Sequence, residues 1–377
     1  MESLIVPQGE FSLQRYPVRQ RETLRAWDAA DEYLLNQIEE EGLLAAKPKV
    51  LILNDQFGAL SVALNEYQPV MISDSWLAHR GALNNLKANG VESEQVTLLD
   101  SLTAPEGKFD LVLIKVPKSL AMLEDQLTRL RPYLHENSRI IGAAMVKAIH
   151  TSTLKLFETV VGPTKTSLAK KKARLINAEF DGALMPAADK YPSVYTLENT
   201  EYRVYNHAGV FSRDSLDIGT RFFLQHLPQS LDAKRVIDLG CGNGVVGVIA
   251  AEKNPAATVT FVDESFMAVD SARLNFETAF KGEREAHYQA TDCLHGIAPN
   301  SAELILNNPP FHQQNVVGDF IARQMFRESK RVLTRGGELW VIGNRHLGYH
   351  VQLKKLFGNC EVVASNRKFV ILKARKA

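Results

Sequence analysis

Late in the chain an apolar run ends in Asn307-Asn308-Pro309-Pro310-Phe311, residue types suited to holding a flat amine. An amide side chain accepts and donates hydrogen bonds, prolines fix the backbone beside it, and an aromatic ring stacks on a planar group. Upstream, Asp238, Gly240, Gly242 and Gly244 form the pattern D-x-G-x-G-x-G between a strand and a helix. Glycines let the backbone turn tightly and let a ligand lie directly on the main chain. Asp263, nineteen residues after Gly244, closes the next strand, where a carboxylate can accept both hydroxyls of a ribose. Asp292 ends the third strand, placed to meet an adenine edge. A glycine triplet alone is shared by many nucleotide folds; these residues together fit an adenosine ligand.

The elements that must position them alternate between strand and helix from about Val236. The chain ends in the strands CEVVA and FVILKA, joined by the tight basic turn SNRK. So short a turn makes the last strands antiparallel, because parallel neighbours need a long crossover. The first half repeats the scheme: KVLILN stands where RVIDLG stands, PVMISDS where ATVTFVDES does, and FDLVLIKVPK where AELILNNPPF does. Residues 150–177 lie without a gap against 346–373. Five elements in one order, closing on the same basic turn, indicate an internal duplication. The expected organisation is an α/β copy over 1–180, a linker at 181–191, and a second copy over 192–377 that opens with the hairpin SVYTL and EYRVYNH.

With its glycine turn, acidic strand end, N-P-P-F loop and antiparallel last strand, the second copy resembles the S-adenosylmethionine-dependent methyltransferases that act on planar nitrogens. GVFSRDSLDIGTRFFLQHLP, VIDLGCGNGVVG, FVDES and NNPPFHQQ extend the likeness to the ribosomal RNA guanine-N2 methyltransferases of the RsmC/RlmG type, nearer to those of the large (23S) subunit. The resemblance implies two tandem class I (Rossmann-like) methyltransferase domains, each a mostly parallel sheet with an antiparallel last strand. It implies S-adenosyl-L-methionine as cofactor, a cradle of Gly240, Gly242 and Gly244 behind Asp238, and Asp263 on the ribose. It also implies that Asn308, Pro309, Pro310 and Phe311 receive the amine. The first copy is degenerate: Asn54-Asp55-Gln56-Phe57-Gly58 replaces the glycine turn, and Lys115-Val116-Pro117-Lys118 replaces the clamp, while Asp74 is aligned with the ribose position. That copy is expected to bind no cofactor.

Net charge is +1, so any nucleic-acid surface must be a local patch. Candidates are Lys165, Lys170, Lys171, Lys172 and Arg174 near the first copy's last turn, and Arg367 and Lys368 on the matching turn of the second; such runs are more often merely solvated. No His/Cys/Asp grouping has metal spacing. Three unpaired-looking cysteines, no signal pattern and no long apolar run point to a cytoplasmic protein without a membrane partner; the resemblance implies ribosomal RNA as the partner, and a monomer is expected. His312 is either a base or phosphate contact or simple packing, Asn307 a strand-end bond, and Cys241 a small turn residue. The segment with Phe211, Gly219, Thr220 and Arg221 either covers the cofactor or caps a helix near Asp217. Competing readings are a release-factor glutamine-N5 methyltransferase, which shares N-P-P-[FY], and a non-enzymatic RNA-binding assembly protein.

Overall fold

In the computed structural model, residues 1–229, 232–310 and 316–377 are described, without the side chains of 316–318. The chain divides into two compact units, Met1–Lys190 and Tyr191–Ala377. Residues 181–190, expected as linker, bond within the first unit: Arg131 Nη2 donates to the carbonyls of Asp181 and Leu184, and Lys190 pairs with Glu124.

The first unit runs β1 (Glu2–Val6), β2 (Gly9–Leu13), α1 (Ala29–Glu40), β3 (Val50–Leu53), α2 (Ala59–Ala63), β4 (Val70–Ile72), α3 (Trp76–Ala88), β5 (Thr97–Leu99), β6 (Leu111–Lys115), α4 (Leu120–Leu130), β7 (Arg139–Met145), α5 (Thr151–Val160), β8 (Thr164–Thr166) and β9 (Ala173–Glu179). The second repeats it as β10 (Ser193–Thr196), β11 (Arg203–Asn206), α6 (Ile218–Leu224), β12 (Arg235–Leu239), α7 (Val245–Lys253), β13 (Thr258–Asp263), α8 (Phe266–Ala279), β14 (Ala286–Ala290), β15 (Ala302–Asn307), α9 (Val316–Val332), β16 (Leu333–Asn344), α10 (Tyr349–Phe357), β17 (Glu361–Ser365) and β18 (Phe369–Arg375). Residues 334–337 lie within β16 as an irregularity in its pairing with β15.

Among the described residues each unit builds one seven-stranded sheet, ordered β5-β4-β3-β6-β7-β9-β8 and β14-β13-β12-β15-β16-β18-β17. Pairs up to β7 and β16 are parallel; β9 and β18 run antiparallel to them. This is the class I methyltransferase arrangement. The central strands VLIL and LVLIK are buried along their length, as parallel strands covered on both faces must be. Each sheet separates two apolar clusters; Phe261 and Phe276 are fully buried in one of them, edge to face at 5.5 Å, and burying such a ring stabilises by about 1.5–3 kcal/mol. No described helix is long and apolar enough to cross a membrane.

Strand register fixes how the copies match. Val50 pairs with Leu111 as Val236 pairs with Leu304, which sets Lys115 against Asn308. Leu51 pairs with Val70 as Ile237 pairs with Thr260. Counting on, Ser73 and not Asp74 matches Asp263, and Asp74 matches Glu264. The helix caps agree, since Ser75 caps α3 through Ala78 N and Ser265 caps α8 through Ala268 N. The alignment of Asp74 with the ribose position is thereby corrected: the first copy has lost that carboxylate too. The duplication also reaches further than expected, because the hairpin β1–β2 is the counterpart of β10–β11.

Candidate functional site

Parallel strands of one sheet bring their carboxyl ends to one edge, and the turn after β12, the tip of β13 and the loop after β15 meet there. Gly240 N and Cys241 N both donate to the Val262 carbonyl, at 2.8 and 2.9 Å, pinning the turn to β13. Gly242 has φ +53°, and a Cβ built on it would meet no heavy atom within 4 Å, so its bare face looks onto open space. Gly244 serves a different end. At φ +82° it opens α7, and a Cβ there would stand 2.7 Å from Ala272 Cβ. Its missing side chain lets α7 and α8 approach, the role expected of the third glycine in such turns.

Asp263 is half-buried, with Oδ2 accepting Gly242 N at 3.0 Å and Oδ1 accepting Ser265 N at 3.0 Å. A carboxylate offers about four acceptor sites, so these N–H bonds do not exhaust its capacity to accept. Burial raises its pKa, and the Ser265, Gly242 and Glu264 N–H groups oppose that rise. Asp238 is only 3 % exposed and turns the other way: its Oδ2 accepts Gly247 N at 2.9 Å. Burial pushes it up to about 8, Gly247 N–H opposing and Asp263 adding to the rise. It is a brace for the start of α7 rather than a group facing the open side. Asp292 is buried beside the carboxyl end of β14, where Gln324 of α9 donates to its Oδ2 at 3.0 Å. Burial, then Asp263 and Asp238, push the Cys241 thiol well up, which fits a small turn residue and not a nucleophile.

The strand tip closes on this turn. A Cβ built on Gly240 would lie 3.9 Å from the Asn308 carbonyl oxygen and 3.5 Å from Met325 Cε. Asn307 is fully buried and donates to the Leu239 carbonyl at 3.1 Å and to Met325 Sδ at 3.3 Å, the strand-end bond expected of it. Asn308 is half-buried and donates through Nδ2 to Thr220 Oγ1 at 3.2 Å. The Thr220 hydroxyl in turn donates to Asp217 Oδ2 at 3.2 Å. That relay assigns which end of the amide is nitrogen, and leaves Asn308 Oδ1 without a donor among the described residues. Pro309 is buried and Pro310 half-buried. Phe311 and His312 lie outside the described residues.

Asp217 also caps α6 through Thr220 N at 2.9 Å, so capping and bracing of the clamp are one arrangement. Phe211 is 70 % exposed, Arg221 forms a two-point ion pair with Glu198, and a Cβ on Gly219 would press on Phe369 at 3.1 Å. Sequence reasoning missed the amides that hold the turn from behind. Asn243 Nδ2 donates to Asn206 Oδ1, and Asn275 Nδ2 donates to the carbonyls of Asn243 and Tyr205. A signal for Asn275 was present, since Asn85 does the same for Phe57 and Gln14 in the first copy. Among the basic candidates, Lys165, Lys170, Lys171, Lys172, Arg367 and Lys368 are exposed, whereas Arg174 is a half-buried residue within β9 and not on the turn.

Residues 1–182 match the family model of the RLMG N-terminal domain, and 201–373 that of the methyltransferase small domain. Ribosomal RNA large subunit methyltransferase G of Streptomyces coelicolor is 51 % identical over 99 % of this chain and 100 % of its own. The protein of that name from Stutzerimonas stutzeri is 50 % identical, with 100 % of both chains covered. The chain belongs to the ribosomal RNA large subunit methyltransferase G family. Among solved structures, the T. thermophilus 16S rRNA N2 G1207 methyltransferase (RsmC), in complex with AdoMet and guanosine, superposes with TM-score 0.76 at 20 % identity, covering 100 % of this chain and 98 % of that one. At that identity the likeness speaks for the two-unit methyltransferase fold. The relatives carry the ribosomal methyltransferase G name across both units, so the release-factor and non-enzymatic readings draw no support from them.

Proposed function

We propose that this member of the methyltransferase G family methylates the exocyclic N2 of a guanine in large-subunit (23S) ribosomal RNA, as a cytoplasmic monomer, through its second unit alone. The carrying observation is the Asn308–Thr220–Asp217 relay on a strand tip whose backbone approaches Gly240, which leaves the Asn308 side-chain oxygen without a donor among the described residues. S-adenosyl-L-methionine, when bound, supplies an electrophilic methyl group on a sulfonium. Gly242 would carry it on bare main chain, Asp263 would accept its ribose hydroxyls, and Asp292 would lie near its adenine edge, with Gly240 and Gly244 shaping the turn and Asp238 bracing it from behind.

Guanine's amino nitrogen is a weak nucleophile because its lone pair is delocalised into the ring. Asn308 Oδ1 and the Pro309 carbonyl would accept its two N–H groups and turn the lone pair out of the ring plane. Pro309 and Pro310 hold those acceptors in place, so they do not reorganise as charge develops. Phe311 would stack on the base, a contact worth about 1–3 kcal/mol. Because an internal guanine is reached only when unstacked or unpaired, the first unit would support the catalytic half or hold RNA, with Lys165, Lys170, Lys171 and Lys172 as its candidate contacts.

The test is to incubate the protein with methyl-labelled S-adenosylmethionine and ribosomal RNA from a strain lacking the enzyme, then to digest and separate nucleosides. Label in N2-methylguanosine of 23S RNA is the expected result. Label in protein, or none in RNA, defeats the proposal.

A further inference from the structure

A second feature of the same sheet edge has no part in the chemistry above. A cavity of ≈ 500 Å³ is lined by Asn344, Arg345, His346, Arg367 and Lys368. Asn344 ends β16 and pairs with Phe369, where β18 begins, so the cavity opens at the carboxyl edge of the second sheet. β16 neighbours β15, and Asn307 pairs with Val341, three residues before Asn344. Asn308 is then level with Ile342, so at about 3.3 Å per residue the cavity rises roughly 7 Å beyond the clamp on the adjacent strand.

The lining is charged and held in place. Arg345 N donates to the Lys368 carbonyl at 3.0 Å and its Nη1 to the Asn366 carbonyl at 3.3 Å. Asn366 Oδ1 accepts Lys368 N and Phe369 N at 2.9 and 2.8 Å, and Lys368 Nζ sits 5.2 Å over the Phe369 ring. Among the described residues, no carboxylate forms an ion pair with Arg345, His346, Arg367 or Lys368. The matching turn of the first unit differs. There Lys171 Nζ reaches the Glu32 carboxylate at 3.4 Å. Cations gathered at one turn without a counter-charge raise the local positive potential, which favours an approaching anion.

We infer that this cavity takes a backbone phosphate of the substrate RNA, flanking the base held at Asn308, with Arg345, Arg367 and Lys368 as the charges that position the strand. The inference rests on RNA being the substrate, and it adds Arg345 and His346 to the surface that substrate meets.

The test uses the full chain with Arg345, Arg367 and Lys368 all replaced by glutamine. Two readouts are taken: methyl transfer to ribosomal RNA, and binding of a fluorescent single-stranded RNA with S-adenosylhomocysteine present, each over a series of salt concentrations. The expected result is KM and RNA Kd raised about tenfold or more, kcat and cofactor affinity within about twofold, and a salt slope shallower by about 0.7 for each phosphate no longer neutralised. Arg345→Lys with Arg367→Lys should keep the slope. An unchanged Kd and slope in the glutamine variant overturn the inference, as does a loss confined to kcat. Failure of the wild-type protein to label RNA would instead sink the proposed reaction, and the binding readout would still decide this one.

Discussion

Where the second unit rests Asn308 on the Thr220 hydroxyl, the first sets Lys115 between Asp28 and Asp31, with Nζ 2.9 Å from each carboxylate. The frame is the same in both. Asp28 caps α1 as Asp217 caps α6, and Gly58, at φ +85°, packs on Ala82 as Gly244 packs on Ala272. What changes is the face towards the open edge. Asn54 takes the place of Gly240, and its amide exchanges hydrogen bonds with Gln126 at 2.8 and 2.7 Å. Asp55, from the position of Cys241, braces α2 through Ser61 N at 2.8 Å in place of Asp238. The duplicated fold keeps the caps and close approaches that hold helices to sheet. In the first unit it has turned the acceptor site into a buried ion cluster.

The largest expected effect comes from breaking that cluster. Burial works against the Lys115 charge, but Asp31 and Asp28 more than offset it and hold its pKa above the usual lysine range. Burial in turn pushes Asp31 up to about 6, against the pull of Lys115. Removing one partner of a buried pair costs about 3–5 kcal/mol. Lys115→Met should therefore lower the melting transition of the first unit by about 6–20 °C, at about 2–4 °C per kcal/mol, while calorimetry still finds one cofactor site per chain with unchanged affinity. A second site in the wild-type protein, or a lost one in the variant, would break the division of labour between the copies.

Next in size is the clamp itself. Asn308→Ala should reduce turnover on RNA by about 10²–10³-fold, the usual loss for one preorganised polar contact to the reacting group, with cofactor affinity within about threefold. Equal losses in both would make Asn308 part of the cofactor's seat. Thr220→Val is the milder version. It removes the acceptor that orients the Asn308 amide, and losing a hydrogen bond of about 1 kcal/mol should slow turnover by about five- to tenfold without moving the melting transition of the first unit. Thr220→Ser should restore it.

How much of this was legible in the sequence follows from range. The glycine turn, the strand end at Asp263 and the antiparallel finish are local or periodic patterns, and the structure has them where they were read; the strand read to Asn308 stops one residue earlier, at Asn307. The Lys115–Asp31 pair spans a long stretch of chain and carries no local signature. Asp74 was matched to Asp263 because acidic character drew the alignment one residue out of register, which only strand pairing and the serine caps correct. The hairpin β1–β2 was missed because ESLIV and GEFSL are short and expose most of one face. Asp238 looked like part of a ligand cradle, and only its hydrogen bond to Gly247 shows which way it points.

That last residue allows the finest comparison of the two units. The folded chain holds Asp238's proton up to about 8, against 3.8 ordinarily. Its contribution to stability is thus complete below about pH 4 and is lost as pH rises through 8, by at most about 1.4 kcal/mol per pH unit for one proton. Asparagine cannot ionise and keeps an oxygen for Gly247 N–H. In the protein without cofactor, Asp238→Asn should flatten the fall of the second unit's transition between about pH 5 and 7. In the first unit burial raises Asp55 in the same direction, but Ser61 N, Ser61 Oγ and Leu60 N all donate to its carboxylate. Donors favour the charged form and oppose that rise, and the first unit's transition should ignore the substitution. Equal slopes in wild type and variant would mean that Asp238 is ionised in the fold.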